Sequence, residues 1–190
     1  YNDNNFLPIA NQLLSDAVIN SNHPFHQGYF ATFNQDQIEQ RTLVLRKWSL
    51  QRRSIVFNTD YRSPKISQLK LNKQSSVLFY SKQDKLQLRF SGFSHVHYKD
   101  RLSNARFKML SNSQLKFYQT SIKPSQIQDN SWNTNSQHSD CQTDNPYENF
   151  AVIVFNFSKL DLLSLHYKKN TRFIYLWNKK NDLQVSFCTP

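Results

Sequence analysis

Three β-patterned runs between Arg41 and Gly92, each carrying a basic or polar patch, constrain this chain more than any other feature. They read R-T-L-V-L-R at 41–46, F-N-T-D-Y-R-S-P-K at 57–65 and Q-L-R-F-S-G at 87–92. Alternation of apolar and polar side chains marks a strand with one buried face. The third run shows it best: Leu86, Leu88 and Phe90 alternate with Gln87, Arg89 and Ser91. The middle run breaks at Ser63-Pro64-Lys65. Ser is a favoured N-cap and Pro a favoured first helical residue. A helix is therefore expected from there to about Leu71, with Ile66 and Leu69 on its buried side.

A helix start presents free backbone N–H groups and the positive end of a dipole. Arg62 stands just outside this one and Lys65 just inside. Such a combination suits an anion, and a phosphate first of all. With only 2 glycines in 190 residues, a Gly-rich phosphate loop is excluded, so side chains and a helix end must hold any phosphate. Taken alone, however, the local pattern fits an ordinary capped helix with solvated basic residues better. Arg41 and Arg46 are suited to bidentate phosphate contacts. Strict alternation puts them on opposite strand faces, unless a bulge intervenes.

The remaining sequence reads as mainly β with a few helices packed outside. Helical spacing covers 6–19, and His23-Pro24-Phe25 ends it. Strands are expected at 28–33, 41–48, 53–59, 75–80, 86–98, 149–157, 171–177 and 183–187, the last two as a hairpin around 179–182. Further helical pieces fall at 99–110 and 112–119. Residues 120–146 are rich in Ser, Gln, Asn, Asp and Thr and read as a mobile surface loop. We expect residues 1–190 to form one domain, a small closed or partly closed barrel of about six or seven antiparallel strands.

Lys and Arg number 24 against 13 Asp and Glu, a net charge of +11. This favours an anionic partner without choosing one. The basic residues are dispersed, which argues against a dedicated nucleic-acid face. No apolar run approaches membrane-spanning length and no signal peptide is visible, so a cytoplasmic location is expected. Cys141 and Cys188 read as free thiols in a reducing compartment. His95 and His97 share a strand face but lack a third ligand, and His138 and Cys141 are weaker still, so no metal is assigned. His23, before a proline, reads as a turn residue. Neither a nucleophile elbow nor a paired-carboxylate signature is present, and an enzyme of this composition would take its reactive centre from a cofactor.

Taken together and in order, the three patches resemble the FMN-binding core of the pyridoxamine 5′-phosphate oxidase family, a split β-barrel. That family carries R-x-V-L-[LF]-[KR], then x-T-N-x-x-S-x-K, then [ER]-Q-V-[RM]-x-x-G. The corresponding residues are Arg41 to Arg46, Thr59 to Lys65 and Leu86 to Gly92. The H-P-F at 23–25 and the ending R-F-I-Y…C-T-P resemble it too, especially the branch known only as oxidase-related and FMN-binding. The resemblance implies that Arg41, Ser63 and Lys65 hold the FMN phosphate, with Arg62 standing in for an Arg the family often has at Pro64. It places Thr42, Leu43, Val44 and Leu45 along the flavin, with Arg46, Asn58 and Thr59 nearby and Gln87 hydrogen-bonding toward it. It also implies a homodimer with FMN at the interface, Arg172 reaching the cofactor of the other subunit.

The departures concern the substrate. A Trp near the flavin is replaced by Leu at about 162–165, and R-L-H by Lys168, Lys169 and Asn170. The Tyr and Arg that hold substrate phosphate in the family appear as Ala105 and Met109. The expectation is an FMN flavoprotein and oxidoreductase. One alternative is an authentic vitamin B6 phosphate oxidase whose pocket is rebuilt from Arg46, His166 and Lys168. The other is a non-enzymatic flavin carrier or sensor, or a basic nucleic-acid module.

Overall fold

Apolar residues at helical spacing place Phe6–Ile19 in the first helix, α1, which buries Ala10, Leu14 and Ala17. The computed structural model describes residues 6–126, 143, 145–166 and 169–190. Most of the polar 120–146 stretch, with His138 and Cys141, lies outside the described residues, as does Lys168. After a single 3-10 turn at Pro24–His26 come β1 (Gln27–Asn34), β2 (Gln37–Ser49), β3 (Ser54–Asp60) and α2 (Pro64–Leu71). Then follow β4 (Gln74–Ser81), β5 (Leu86–His97), α3 (Arg101–Phe107) and α4 (Asn112–Gln119). The long β6 (Phe150–His166), β7 (Lys169–Trp177) and β8 (Leu183–Cys188) complete the chain.

The strands form one antiparallel sheet in the order β3-β2-β1-β4-β5-β6-β7-β8, closed by a further β3–β6 pairing. The split lies in β6. Its first half, Phe150 to Asn156, pairs with β3 and closes the barrel, while its second half, Lys159 to His166, pairs with β7. One long strand thus belongs to the barrel at one end and to an outlying hairpin at the other. The fold is mainly β with flanking helices, as expected. It has eight strands rather than six or seven, because β7 and β8 extend the sheet past the point of closure.

The barrel interior is aromatic. Phe30, Phe57, Phe79, Phe90 and Phe155 are fully buried. Trp48 stacks on Phe157 with centroids 5.5 Å apart and meets Phe90 edge-on at 5.6 Å. Each such pair adds about 0.5–1.5 kcal/mol beyond its burial. Trp48 reaches the interior through a register slip between Leu45 and Lys47 against β3, which turns an even-numbered residue onto the face of Leu45. A second slip, at Ser91/Gly92 on β5, lets β6 approach very closely. A Cβ at Gly92 would stand 2.0 Å from the Asn156 carbonyl oxygen, so only glycine fits.

A smaller cluster lies outside the barrel wall. Val56, Phe150 and Val152 pack there beneath Tyr118 of α4, with Leu102 and Phe107 of α3 beside them. The barrel wall therefore has one face filled by the main core and, over β3 and β6, a second face covered by α3 and α4. On the far side, β1, β4, β5 and β7 leave Tyr29, Phe33, Tyr80, Phe93 and Leu176 exposed.

Candidate functional site

Arg41 lies opposite Phe30 in the β1–β2 register and so points to the barrel side of the sheet. Its guanidinium donates to the hydroxyl of buried Thr32, to Gln68 Oε1 at 3.1 Å and to Glu39 Oε2 at 3.1 Å. Gln68 comes from α2, and its amide donates to Glu39 at 2.8 Å. Across from this group, Lys65 enters from the first turn of α2. Its ammonium donates to Thr59 Oγ1 at 3.1 Å and to Ser63 Oγ. Burial pulls Lys65 down to about 8, and the positive charge of Arg41 pulls it the same way. Burial likewise lowers Arg41. Two half-buried cations thus share a corner lined by two threonines, a serine and a glutamine. Glu39, at the rim, answers only Arg41.

Ser63 occupies the N-cap position of α2, but its side chain makes no capping hydrogen bond. The expected cap hydroxyl is turned to Lys65 instead. Arg62 is held elsewhere. It forks onto Asp60 at 3.0 and 2.7 Å and donates to the carbonyls of Thr120 and Ser121 at 3.0 and 3.1 Å. Its local geometry is that of an anchor tying the end of β3 to the chain beyond α4.

The other residues singled out along β2 divide by face. Leu45 is fully buried and Leu43 packs against the main core. Thr42 is exposed opposite Tyr29. Arg46 lies within the register slip, so it and Arg41 fall on opposite sides of the barrel wall, as alternation alone requires. Thr59 is buried beside Lys65, while Asn58 faces the outer cluster and its Oδ1 has no hydrogen-bond partner.

Gln87 stands half-buried on the exposed sheet face, two residues from Arg89. Arg89 and Arg172 converge there on buried Asp161. Arg89 donates to its Oδ2 at 2.5 Å, and Arg172 to both oxygens at 3.0 and 2.7 Å. Burial raises this carboxyl, but the arginines outweigh it and hold it below its ordinary value. Together with Gln40, Leu78 and Lys159 these groups line a shallow hollow of about 430 Å³. Sequence reasoning named Gln87 and Arg172 but missed Asp161, whose acidic side chain in an apolar run, L-D-L-L, was the available signal.

His166 ends β6 opposite Lys169. Ala105 is exposed and Met109 is 72% exposed, so neither fills a pocket. His97 is bonded to Asp100 at 2.7 Å and His95 is exposed, and the described residues contain no group of three candidate metal ligands. Cys188 is free. No helix among the described residues is long and apolar enough to cross a membrane.

The cationic corner meets the needs of a phosphate monoester: two charges for the anion, hydroxyls and an amide for its oxygens, and a helix start behind it. The comparisons agree with that chemistry. Residues 7–98 match the family model of the pyridoxamine 5′-phosphate oxidase FMN-binding domain. No curated protein matches the sequence. Among solved structures, a pyridoxamine 5′-phosphate oxidase-related, FMN binding protein from Nostoc punctiforme superposes with a TM-score of 0.76 at 19% identity, over 98% of this chain and 97% of that one. PhzG from Burkholderia lata, solved with tetrahydrophenazine-1-carboxylic acid, gives 0.73 at 14% identity, over 97% and 92%. General stress protein 26 from Bacillus anthracis gives 0.52 at 16% identity, over 80% and 92%. At these identities the structures speak to the fold. Residues 7–98 are thus similar to the FMN-binding domain of the pyridoxamine 5′-phosphate oxidase family, within a chain that has the split-barrel fold throughout.

Proposed function

We propose that this protein is a homodimeric FMN flavoprotein that acts as an oxidoreductase. The observation that carries the reading is the Arg41–Lys65 pair, two neighbouring half-buried cations set among Thr32, Thr59, Ser63 and Gln68. Burying like charges together is costly unless an anion joins them. Arg41, Ser63 and Lys65 hold the phosphate, and Thr32 and Gln68 fix the guanidinium of Arg41. The backbone of Thr42 to Leu45 runs along the flavin, with Asn58 and Thr59 at its side. Bound FMN supplies hydride or electron transfer, and the residues around it orient it and exclude water.

A second copy of the chain suits the exposed sheet face. Tyr29, Tyr80 and Phe93 are 52%, 44% and 51% exposed there, and exposed aromatic side chains of this kind suit an interaction face. Gln87 and Arg172 share that face, which puts them in position to meet the cofactor of the other subunit. Asp161 holds Arg172 in place.

The test is direct. The purified protein should be yellow, release one FMN per chain on denaturation, and elute as a dimer. Protein that is colourless and remains so after incubation with FMN ends the reading. The vitamin B6 reading draws on the family match at 7–98 and uses Arg46, His166 and Lys168 toward substrate. Oxygen-dependent conversion of pyridoxine or pyridoxamine phosphate decides it, and absence of turnover removes it.

A further inference from the structure

The basic residues are dispersed along the chain, but two of their pairs meet in space. Arg52 and Arg53 lie in the turn between β2 and β3, and Lys179 and Lys180 in the turn between β7 and β8. Arg53 Nη2 donates to Asn181 Oδ1 at 2.5 Å, across 128 positions of sequence. The Arg53 carbonyl also accepts from the Phe157 backbone N–H at 3.0 Å, which ties the first turn to β6. Arg52, Lys179 and Lys180 are exposed and Arg53 is half-buried. Asp182 is the one acid of the two turns, and it accepts from Asn178 at 2.9 Å. The β7–β8 hairpin that carries this basic tip also carries an apolar stripe. Leu183, Val185 and Phe187 share one face of β8 and are 44%, 50% and 61% exposed. They lie opposite Trp177, Tyr175 and Phe173 of β7. α1 packs on that β7 row, Phe6 meeting Phe173 at 5.6 Å, while β8 beside it stays open to solvent.

An uncharged edge strand with a row of exposed apolar side chains is a liability in water, and proteins normally blunt such an edge with charge. Here no charged residue stands between Leu183 and Pro190, in a chain of net charge +11. The charge is gathered at the end of the strand instead. Cations beside a short apolar stripe suit the boundary of an anionic bilayer, where the cations meet headgroups and the apolar side chains leave water. We propose that the tip formed by the two turns, together with the β8 stripe, docks this protein on an anionic lipid surface. Arg52, Arg53, Lys179 and Lys180 face the headgroup phosphates and carboxylates, and Leu183, Val185 and Phe187 enter the headgroup layer. A nucleic acid would use the four cations and leave the stripe in water. A second copy would cover the stripe but add its own +11. Arg172, opposite Cys188, lies on the other face of the hairpin, so the face offered to a second copy in the reading above is not this one. None of the docking residues takes part in the FMN reading.

The experiment sediments the purified protein with vesicles of phosphatidylcholine alone, or of phosphatidylcholine mixed with phosphatidylserine. Binding to the mixed vesicles should be at least ~10-fold tighter and should weaken as salt is added, since each basic residue near an anionic surface contributes about a 5-fold factor. Lys179→Gln with Lys180→Gln should weaken it at least ~10-fold. Leu183→Ser with Val185→Ser should weaken it several-fold and leave the salt dependence as it was. Lys82→Gln with Lys108→Gln removes the same charge from elsewhere on the surface and should change binding by less than ~2-fold. All of these positions are exposed, so the variants should melt like the parent. Equal binding to both kinds of vesicle, or a preference that survives the change at Lys179 and Lys180, overturns the proposal. So does salt-sensitive binding of DNA or RNA by a protein that ignores vesicles, which gives the cations to nucleic acid. Self-association abolished by Leu183→Ser with Val185→Ser, without vesicle binding, overturns it too and gives the stripe to a second copy.

Discussion

Two pairs of cations sit on opposite sides of one barrel wall, and their surroundings differ. Arg41 and Lys65 are set among hydroxyls and an amide that already occupy their donors. Arg46 and Arg106 lie on the side of Tyr118 and the outer cluster, with their Nε atoms unpaired. The first arrangement is stable while it waits for an anion, because hydroxyls and the Gln68 amide stand in for phosphate oxygens. The second leaves two buried guanidinium donors unmade. Preorganisation of the first kind suits a retained cofactor.

The largest expected effect breaks the first pair. Arg41→Ala with Lys65→Ala should abolish FMN retention, each charge-assisted contact being worth about 1.5–3 kcal/mol. The dialysed double variant should be colourless while its circular dichroism is kept. Arg62→Ala separates a cradle arginine from an anchor. Its ion pair with Asp60 is only 16% and 10% exposed. Breaking it should cost about 3 kcal/mol of stability, the low end for a buried pair, seen in urea melts, with little change in FMN affinity once folded.

The next effect is pH dependence. Lys65 titrates near 8 in the ligand-free fold and higher when unfolded. Between those values the unfolded chain binds more protons, so its contribution to ligand-free stability rises with pH from 8 upward. Phosphate binding works in the opposite direction. A bound anion raises Lys65, so FMN affinity should be flat below about pH 8 and fall by up to ~10-fold per unit above it. Fluorescence titration of FMN from pH 6 to 10 measures this, and a flat profile dissociates Lys65 from the phosphate. The smallest effect is Ser63→Ala. Its hydroxyl makes no cap, so melting should shift by less than the ~1 kcal/mol typical of a lost N-cap, while FMN affinity falls a few-fold.

Much of the corner was legible in the linear chain. Pro64 set the helix start, and alternation put Leu86, Leu88 and Phe90 inside and Arg41 and Arg46 apart. The glycine ending the third patch, Gly92, turned out to be required by the Asn156 carbonyl, which a motif can flag but not explain. Arg62 reads as a phosphate neighbour because it stands next to Ser63, and only folding shows that Thr120 and Ser121, from almost sixty residues away, also accept from it. Thr32, Gln68 and Arg106 carried no local signal at all.

By itself, the sequence determined the strand faces and the helix start at Ser63, because each depends on side-chain period or on residues a few positions apart; the cofactor class came from the resemblance that the three ordered patches carry. The tertiary structure alone decided which charges meet. Closure of β3 on β6 brings α3 and α4 over the outer wall, and folding α2 onto β1 carries Gln68 to Arg41. Whether an arginine is an anchor, a cradle or an unpaired charge is set by what long-range packing places within about 3 Å of its nitrogens.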